Sequence, residues 1–186
     1  MTGRLHLLLL TGPTHSGKTT AAAALAQRAR TAGMRVAGIL AEGVRRGGVL
    51  VGFDAVDIAT GRRAALAYRR NNSSPGQQHV GEFVFLDDGL ALGTEALSPP
   101  AVSGADLVIV DEFGPLELGG GGWRGATDEL LASQAAAAVL LVVRDKLASA
   151  VKQLYAAHGP RLIDAASAQD ASIASLLAGA DEDVDE

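Results

Sequence analysis

Short apolar runs alternate with segments of helical character along most of the chain. Apolar runs predict strands at residues 5–10, 35–40, 107–110 and 139–143, of which 107–110 is continuous and expected to be buried on both faces, and a last short strand is expected at 161–164. A helix is predicted over residues 18–32 from its alanine content and from Gly33 as a C-terminal cap, and another over 127–137. A third helix begins near Asp145 as N-cap, with its apolar residues on one face, and Ile173, Leu176 and Leu177 mark a final one. This alternation is typical of an α/β domain with a mostly parallel sheet.

The pattern changes in the middle of the chain. Residues 49–58 partly alternate apolar and polar side chains between glycine-containing turns, and residues 64–68 are positioned to pair back as a hairpin. Residues 71–78 form a polar loop, and residues 82–86 form another short strand. We therefore expect an antiparallel hairpin extension on the parallel sheet.

Length and termini favour one domain. With 186 residues and no repeat or linker, residues 1–178 are expected to form a single domain, followed by an acidic disordered tail at 179–186. The apolar run at residues 7–10 leads directly into a glycine-rich motif rather than a cleavage site, so we interpret it as a strand and not as a signal peptide. No stretch approaches the roughly 18 apolar residues of a membrane span.

Composition narrows the function classes. The chain has no cysteine, which excludes thiolate metal sites and cysteine nucleophiles and is compatible with a cytoplasmic location. Its net charge is −5, and no basic run interleaved with aromatic residues suggests a nucleic-acid surface. A protein partner stays open, although no segment identifies one.

The strongest chemical signal is the octapeptide at residues 12–19, which fits G-x-x-x-x-G-K-[ST] in full. Glycines let the loop turn its amides around phosphate oxygens, and the helix that follows adds its positive N-terminal end. Lysine contacts the β- and γ-phosphates, and threonine ligates Mg²⁺. The motif follows a predicted strand and opens a predicted helix, as required. The predicted nucleotide-binding residues are Gly12, Pro13, Thr14, His15, Ser16, Gly17, Lys18, Thr19 and Thr20.

A P-loop also needs a carboxylate at the end of a neighbouring strand. Asp111 follows the apolar run 107–110 and is predicted to hold Mg²⁺ together with Thr19, through water. Glu112 comes next, where it would orient and deprotonate the attacking water. The alternative is that Asp111 only ends the strand and that Glu112 is a surface acid.

Three further charged residues are candidates with competing structural explanations. Glu117 either belongs to the site or caps a helix or pairs with a basic group. Arg144 follows the strand at 139–143, where it would neutralise transition-state charge or lie on the surface near Asp145. Arg45 lies with Arg46 in a glycine-flanked segment that is expected to be a solvated turn.

Together these motifs resemble the THEP1 family, also called cancer-related nucleoside-triphosphatases. Three blocks carry the resemblance: residues 11–20, residues 38–57 with their Val-Gly-Phe-Asp, and residues 106–118 with Asp-Glu-Phe-Gly-Pro-Leu-Glu-Leu. The resemblance implies a three-layer, RecA-like P-loop domain and slow Mg²⁺-dependent hydrolysis of nucleoside 5′-triphosphates with loose base choice. It assigns phosphate binding to residues 12–20, the metal carboxylate to Asp111 and the base to Glu112.

The chain departs from the family pattern around this machinery. Gly43 stands where the family usually has an acid, and Val49 and Leu50 stand where an arginine often precedes Val-Gly-Phe. Two other functions therefore stay open. A small-molecule kinase would need an acceptor pocket and an arginine-bearing lid, and a nucleotide-dependent switch would use the glycine run at 119–122, expected to be a flexible loop, as a surface that orders on a partner.

Overall fold

The computed structural model describes residues 5–13, 16–70 and 78–169, and within them nine strands form one sheet. The strands are β1 (His6–Gly12), β2 (Val36–Arg46), β3 (Val49–Asp57), β4 (Arg63–Arg69), β5 (His79–Val80), β6 (Phe83–Phe85), β7 (Ala105–Val110), β8 (Ala136–Arg144) and β9 (Arg161–Asp164). The helices are α1 (Lys18–Thr31), α2 (Asp87–Ala96), α3 (Pro99–Val102), α4 (Pro115–Leu118), α5 (Arg124–Ser133) and α6 (Asp145–Leu154), with 3₁₀ turns at Ala156–His158 and Ser167–Gln169.

The sheet has a parallel half and an antiparallel half. Its order is β5-β6-β4-β3-β2-β7-β8-β1-β9, and the five strands from β2 to β9 in this order are parallel. The other four are antiparallel, so the predicted extension is correct but larger than a hairpin. In an open parallel sheet, ligands bind beyond the carboxyl ends of the strands, which here include Gly12, Val110 and Arg144.

Two apolar layers cover the sheet, one on each face. Successive residues of β1 point to opposite faces, with Leu7 and Leu9 in one core and Leu8 and Leu10 in the other. Helix α1 packs on the second face through small residues that include Ala22. Helices α2, α3, α5 and α6 contribute to the first face, and the result is the expected three-layer α/β arrangement.

Several boundary predictions were wrong for identifiable reasons. Residues 136 and 137 belong to β8, because an alanine run reads as helical although the sheet buries Ala136 and Ala138. Arg144 is the N-cap of α6, whereas Asp145 is its first helical residue. Strand β2 continues to Arg46, so the turn itself is Gly47-Gly48.

Other predictions missed ordered structure. Helices α2 and α3 occupy residues 87–102, for which no element was predicted. The glycine run at 119–122 is not an open loop, because the N–H groups of its first three residues donate to the carbonyl oxygens of Pro115, Glu117 and Leu116, respectively. The predicted final helix, the acidic tail and residues 71–77 of the polar loop lie outside the described residues.

Candidate active site

The phosphate loop leaves β1 and enters α1 through two glycines with different roles. Gly17 has a φ of 80°, a left-handed conformation that favours glycine. Gly12 is needed for space, because a Cβ there would lie 2.9 Å from Ser16 Oγ and 3.5 Å from Lys18 Cγ. Pro13 accepts a hydrogen bond from the Ser16 N–H at 3.1 Å. The predicted residues Thr14 and His15 lie outside the described part of the loop.

Lys18 is the first residue of α1 and is buried, with 8% of its surface exposed. Its Nζ donates to the main-chain oxygens of Gly12 at 3.0 Å and Pro13 at 2.6 Å. These two bonds hold the ammonium group inside the loop. The first turn of α1 carries no acidic side chain, so the positive helix end and Lys18 attract an anion together.

Thr19 and Asp111 meet at the end of the loop. The Thr19 hydroxyl donates to the Asp111 carboxylate, and the Ala41 N–H donates to Asp111 Oδ2 at 3.3 Å. Asp111 is 1% exposed. Burial raises the pKa of Asp111 to about 7 and the charge of Glu112 adds to the rise, whereas the two hydrogen bonds and Lys18 oppose it. A buried carboxylate of this kind gains from a neighbouring cation.

Asp111 follows β7, which is not the neighbour of the P-loop strand β1. The sequence had suggested that the two strands are neighbours. Strand β8 lies between β1 and β7 and pairs with both. Its last residue, Arg144, is directly opposite Gly12. The inserted strand therefore places Arg144 between the P-loop and the carboxylates that follow β7.

Glu112 and Arg144 form a two-point ion pair. Arg144 Nε donates to Glu112 Oε1 at 2.5 Å, and Nη2 donates to Oε2 at 3.3 Å. Their side chains are 31% and 38% exposed, so solvent reaches both. The peptide bond between Asp111 and Glu112 is cis. The ion pair brings together the predicted base and the candidate transition-state cation.

Glu117 is committed to the protein main chain. It is 5% exposed, and its two oxygens accept from Gly114 N at 2.8 Å and Trp123 N at 3.3 Å. Gly114 is the N-cap of α4, so Glu117 caps this short helix, as the alternative interpretation had it. Burial raises the pKa of the Glu117 carboxyl, although the amide contacts oppose the rise.

Three other arginines, Arg45 in β2, Arg62 before β4 and Arg69 in β4, make contacts of their own. Arg45 is exposed, and its Nη1 donates to the Gly48 carbonyl oxygen within its own hairpin at 2.9 Å. Arg62 pairs with Glu95, and Arg69 pairs with Glu82. Arg45 lies in the part of β2 that pairs with β3, beyond Ile39, the last residue of β2 that pairs with β7. The partner of Arg62 lies in α2, and the partner of Arg69 directly precedes β6.

Beside the ion pair lies a cavity of about 300 Å³ that sequence reasoning missed. Thr19, Glu112 and Arg144 line it together with Glu82, Glu117 and a larger set of apolar side chains from the sheet, helix α2 and residues 115–123. The available signal was the set of apolar residues in β3 to β6, such as Phe53 and Phe83. The partial alternation of residues 49–58 predicted a half-buried strand but not what lies against it.

The donor set fits Mg²⁺. This cation is usually held by one or two protein oxygen ligands together with substrate phosphates, rather than by a protein cage. Thr19 and Asp111 supply a hydroxyl and a carboxylate in contact, beside the loop that would hold the phosphates. Within the described ranges no cluster of three or more acidic or histidine side chains forms a separate metal cage.

The glycine-rich loop at the carboxyl end of a parallel sheet, with a buried carboxylate against its threonine, defines a P-loop nucleotide-binding protein. Comparison with known families narrows this class, since the family model described as NTPase matches residues 7–168. The chain belongs to this family, that of the THEP1 nucleoside-triphosphatases.

Two relatives illustrate the similarity. Nucleoside-triphosphatase THEP1 of Methanothermobacter thermautotrophicus is 36% identical over 131 residues, which cover 68% of this chain and 70% of the relative. Nucleoside-triphosphatase THEP1 of Thermococcus kodakarensis is 30% identical over 151 residues, which cover 81% and 83%.

A solved structure has the same fold. The solution structure of a human cancer-related nucleoside triphosphatase aligns with a TM-score of 0.66 at 24% identity, and the alignment covers 95% of each chain.

In the described part of the chain, no helix is both long and apolar enough to cross a bilayer.

Proposed function

We propose that the protein hydrolyses nucleoside 5′-triphosphates to the diphosphate and phosphate, with Mg²⁺, in the cytoplasm. Membership of a nucleoside-triphosphatase family supports the reaction class. The site contributes the residue assignments: residues 12–20 as the phosphate loop, Thr19 and Asp111 as the metal ligands, and Glu112 as the base.

The single observation that carries the proposal is the contact between Thr19 and the buried Asp111. It joins the phosphate loop to the end of β7, two strands away in the sheet. A carboxylate that only ended a strand would gain by turning to water, because burial of an unpaired charge is costly. Its burial against a P-loop hydroxyl is explained by a cation at this position.

In the proposed reaction the residues act on the γ-phosphoryl end of the nucleotide. Lys18 and the loop amides hold the phosphates, and bound Mg²⁺ supplies neutralisation of their charge. A water oxygen bonds to the γ-phosphorus while the bond to the β–γ bridging oxygen breaks, and the water proton goes to Glu112. Arg144 orients the Glu112 carboxylate, and from its position opposite Gly12 it would neutralise charge that develops on the transferred group.

The test is phosphate release from ATP and GTP with Mg²⁺ or with a chelator. Lys18→Ala is expected to lower the rate by about 10²–10³-fold or more, because it removes a preorganised charge from the phosphates. Lys152→Ala is the matched control, since Lys152 is exposed in the last turn of α6. Equal rates for Lys18→Ala and the wild type would exclude the P-loop as the active site.

A further inference from the structure

The cavity beside the ion pair is larger and less polar than hydrolysis requires. Its volume of about 300 Å³ equals the liquid volume of about ten water molecules. A hydrolytic site needs to seat one water on polar groups, whereas an apolar cavity of this size favours an organic occupant over water.

The walls come from both halves of the molecule. The apolar lining side chains are Ala41, Leu50, Phe53, Leu66, Val80, Phe83, Phe85, Leu90, Pro115, Leu116 and Trp123. Trp123 is fixed in place, because its Nε1 donates to the Leu90 carbonyl oxygen at 3.0 Å and its ring lies against Gly93. Phe53 and Phe83 pack edge to face with their centroids 5.0 Å apart.

Four charged side chains line the cavity. Glu82 pairs with Arg69, and Glu117 accepts from main-chain N–H groups, which leaves the opposite charges of Glu112 and Arg144 beside Thr19. A carboxylate or phosphate placed there would face Glu112, and an ammonium group would face Arg144. A neutral hydroxyl group fits both, since it donates to the carboxylate and accepts from the guanidinium.

We propose that this cavity is the binding site of a second substrate, a compact and largely apolar alcohol whose hydroxyl group lies at Glu112 and Arg144 and accepts the γ-phosphoryl group. The proposal rests on the phosphate loop assigned above. The position of the cavity supports this role. Thr19 and Glu112 mark the γ-phosphate end of the site, whereas the nucleoside attaches to the opposite end of the triphosphate.

The transfer uses the same residues as hydrolysis with a different nucleophile. The alcohol oxygen bonds to the γ-phosphorus, the bond from that phosphorus to the β–γ bridging oxygen breaks, and the nucleoside diphosphate leaves. The hydroxyl proton goes to Glu112. Water reacts in place of the alcohol when the cavity holds no alcohol, which would account for a basal hydrolase activity.

Trp123 provides a direct readout of occupancy, because it lines the cavity and is the only tryptophan of the sequence. Benzyl alcohol is titrated while Trp123 emission is recorded, with toluene as the analogue that lacks the hydroxyl group. We expect a saturable change with benzyl alcohol and weaker binding of toluene. With ATP and Mg²⁺, ³¹P NMR is expected to detect benzyl phosphate and ADP.

Variants locate the binding site. Leu50→Phe and Val80→Phe fill the cavity from two strands and are expected to weaken benzyl alcohol binding about tenfold or more. Val49→Phe is the matched control, since the 52%-exposed Val49 does not line the cavity. Thermal unfolding of each variant checks that it is folded, and Val49→Phe is expected to keep wild-type binding and basal hydrolysis.

Three results would overturn the proposal. One is the absence of a saturable Trp123 response, and another is binding without benzyl phosphate formation. The third is displacement of benzyl alcohol by ADP, which would mean that the cavity holds the nucleoside. Hydrolysis of ATP by the wild type without alcohol is measured in the same preparation, so failure of the acceptor site is distinguished from failure of the hydrolase assignment.

Discussion

The parallel and antiparallel halves of the sheet position polar groups in opposite ways. At the carboxyl ends of the parallel strands, Lys18, Asp111 and Glu112 converge on one place, where Lys18 and Asp111 are buried and Glu112 pairs with Arg144. On the antiparallel half, charged side chains pair locally, as Arg69 does with Glu82, and the inner face is apolar.

This difference follows from topology. Parallel strands bring their carboxyl ends to one edge of the sheet, so residues far apart in sequence meet there. Burial of their charges is costly unless a ligand compensates that cost. Antiparallel strands pair with strands that are close to them in sequence, so the extension forms local ion pairs and a continuous apolar face. Glu117 stands at the boundary, at the edge of the site but with its carboxylate satisfied by the main chain.

The largest expected effect comes from the proposed base in the parallel half. Glu112→Gln keeps the size of the side chain but removes the proton acceptor, so single-turnover hydrolysis should fall about 10²–10⁴-fold. Affinity for the triphosphate should hardly change, because the proposed phosphate contacts come from the loop. Equal hydrolysis rates would remove Glu112 from the mechanism, and joint loss of binding and rate would place it in the metal site instead.

A smaller effect is expected at Asp111, the proposed metal carboxylate. Asp111→Asn should raise the Mg²⁺ concentration needed for half-maximal hydrolysis by about 10–100-fold, because a neutral amide holds the hydrated cation less well. Asp88→Asn is the control, since Asp88 is exposed in the first turn of α2. An unchanged Mg²⁺ titration would mean that Asp111 is not the metal carboxylate.

The smallest expected effect is on stability, at the boundary between the halves. Glu117→Ala should lower the free energy of unfolding by about 1–3 kcal/mol, because the buried N–H groups of Gly114 and Trp123 lose their acceptor. Urea unfolding measures this value, with the exposed Glu129→Ala as control. A loss no larger than that of the control would contradict the capping role.

The same residue predicts a pH dependence. Burial raises the pKa of Glu117 in the folded protein above the value of about 4.3 in the unfolded chain. As pH rises between these two values, the unfolded chain loses this proton first, so stability falls. The wild type should show this decline relative to Glu117→Gln, and parallel stability curves would contradict it.

The sequence predicted the parts of this site that depend on local chemistry. The P-loop and its helix follow from residues 12–31, where each glycine has a backbone or spatial reason. Asp111 and Glu112 followed from their place after an apolar strand.

What the sequence could not predict depends on strand order and on packing between distant elements. The insertion of β8 opposite Gly12, which brings Arg144 to Glu112, depends on strand order. The cavity is enclosed by strands and a helical segment that are distant in sequence. Helix α2 was missed because its glycines, Gly89 and Gly93, read as helix breakers, yet they allow close packing on Leu66 and Trp123.

The most direct measurement is a crystal structure with Mg²⁺ and a non-hydrolysable triphosphate. We expect the cation beside Thr19 Oγ1 and Asp111, the β- and γ-phosphates against Lys18 and the loop amides, and the γ-phosphate facing Glu112. A triphosphate bound elsewhere, or a cation that contacts neither Thr19 nor Asp111 directly or through water, would contradict the proposed active site.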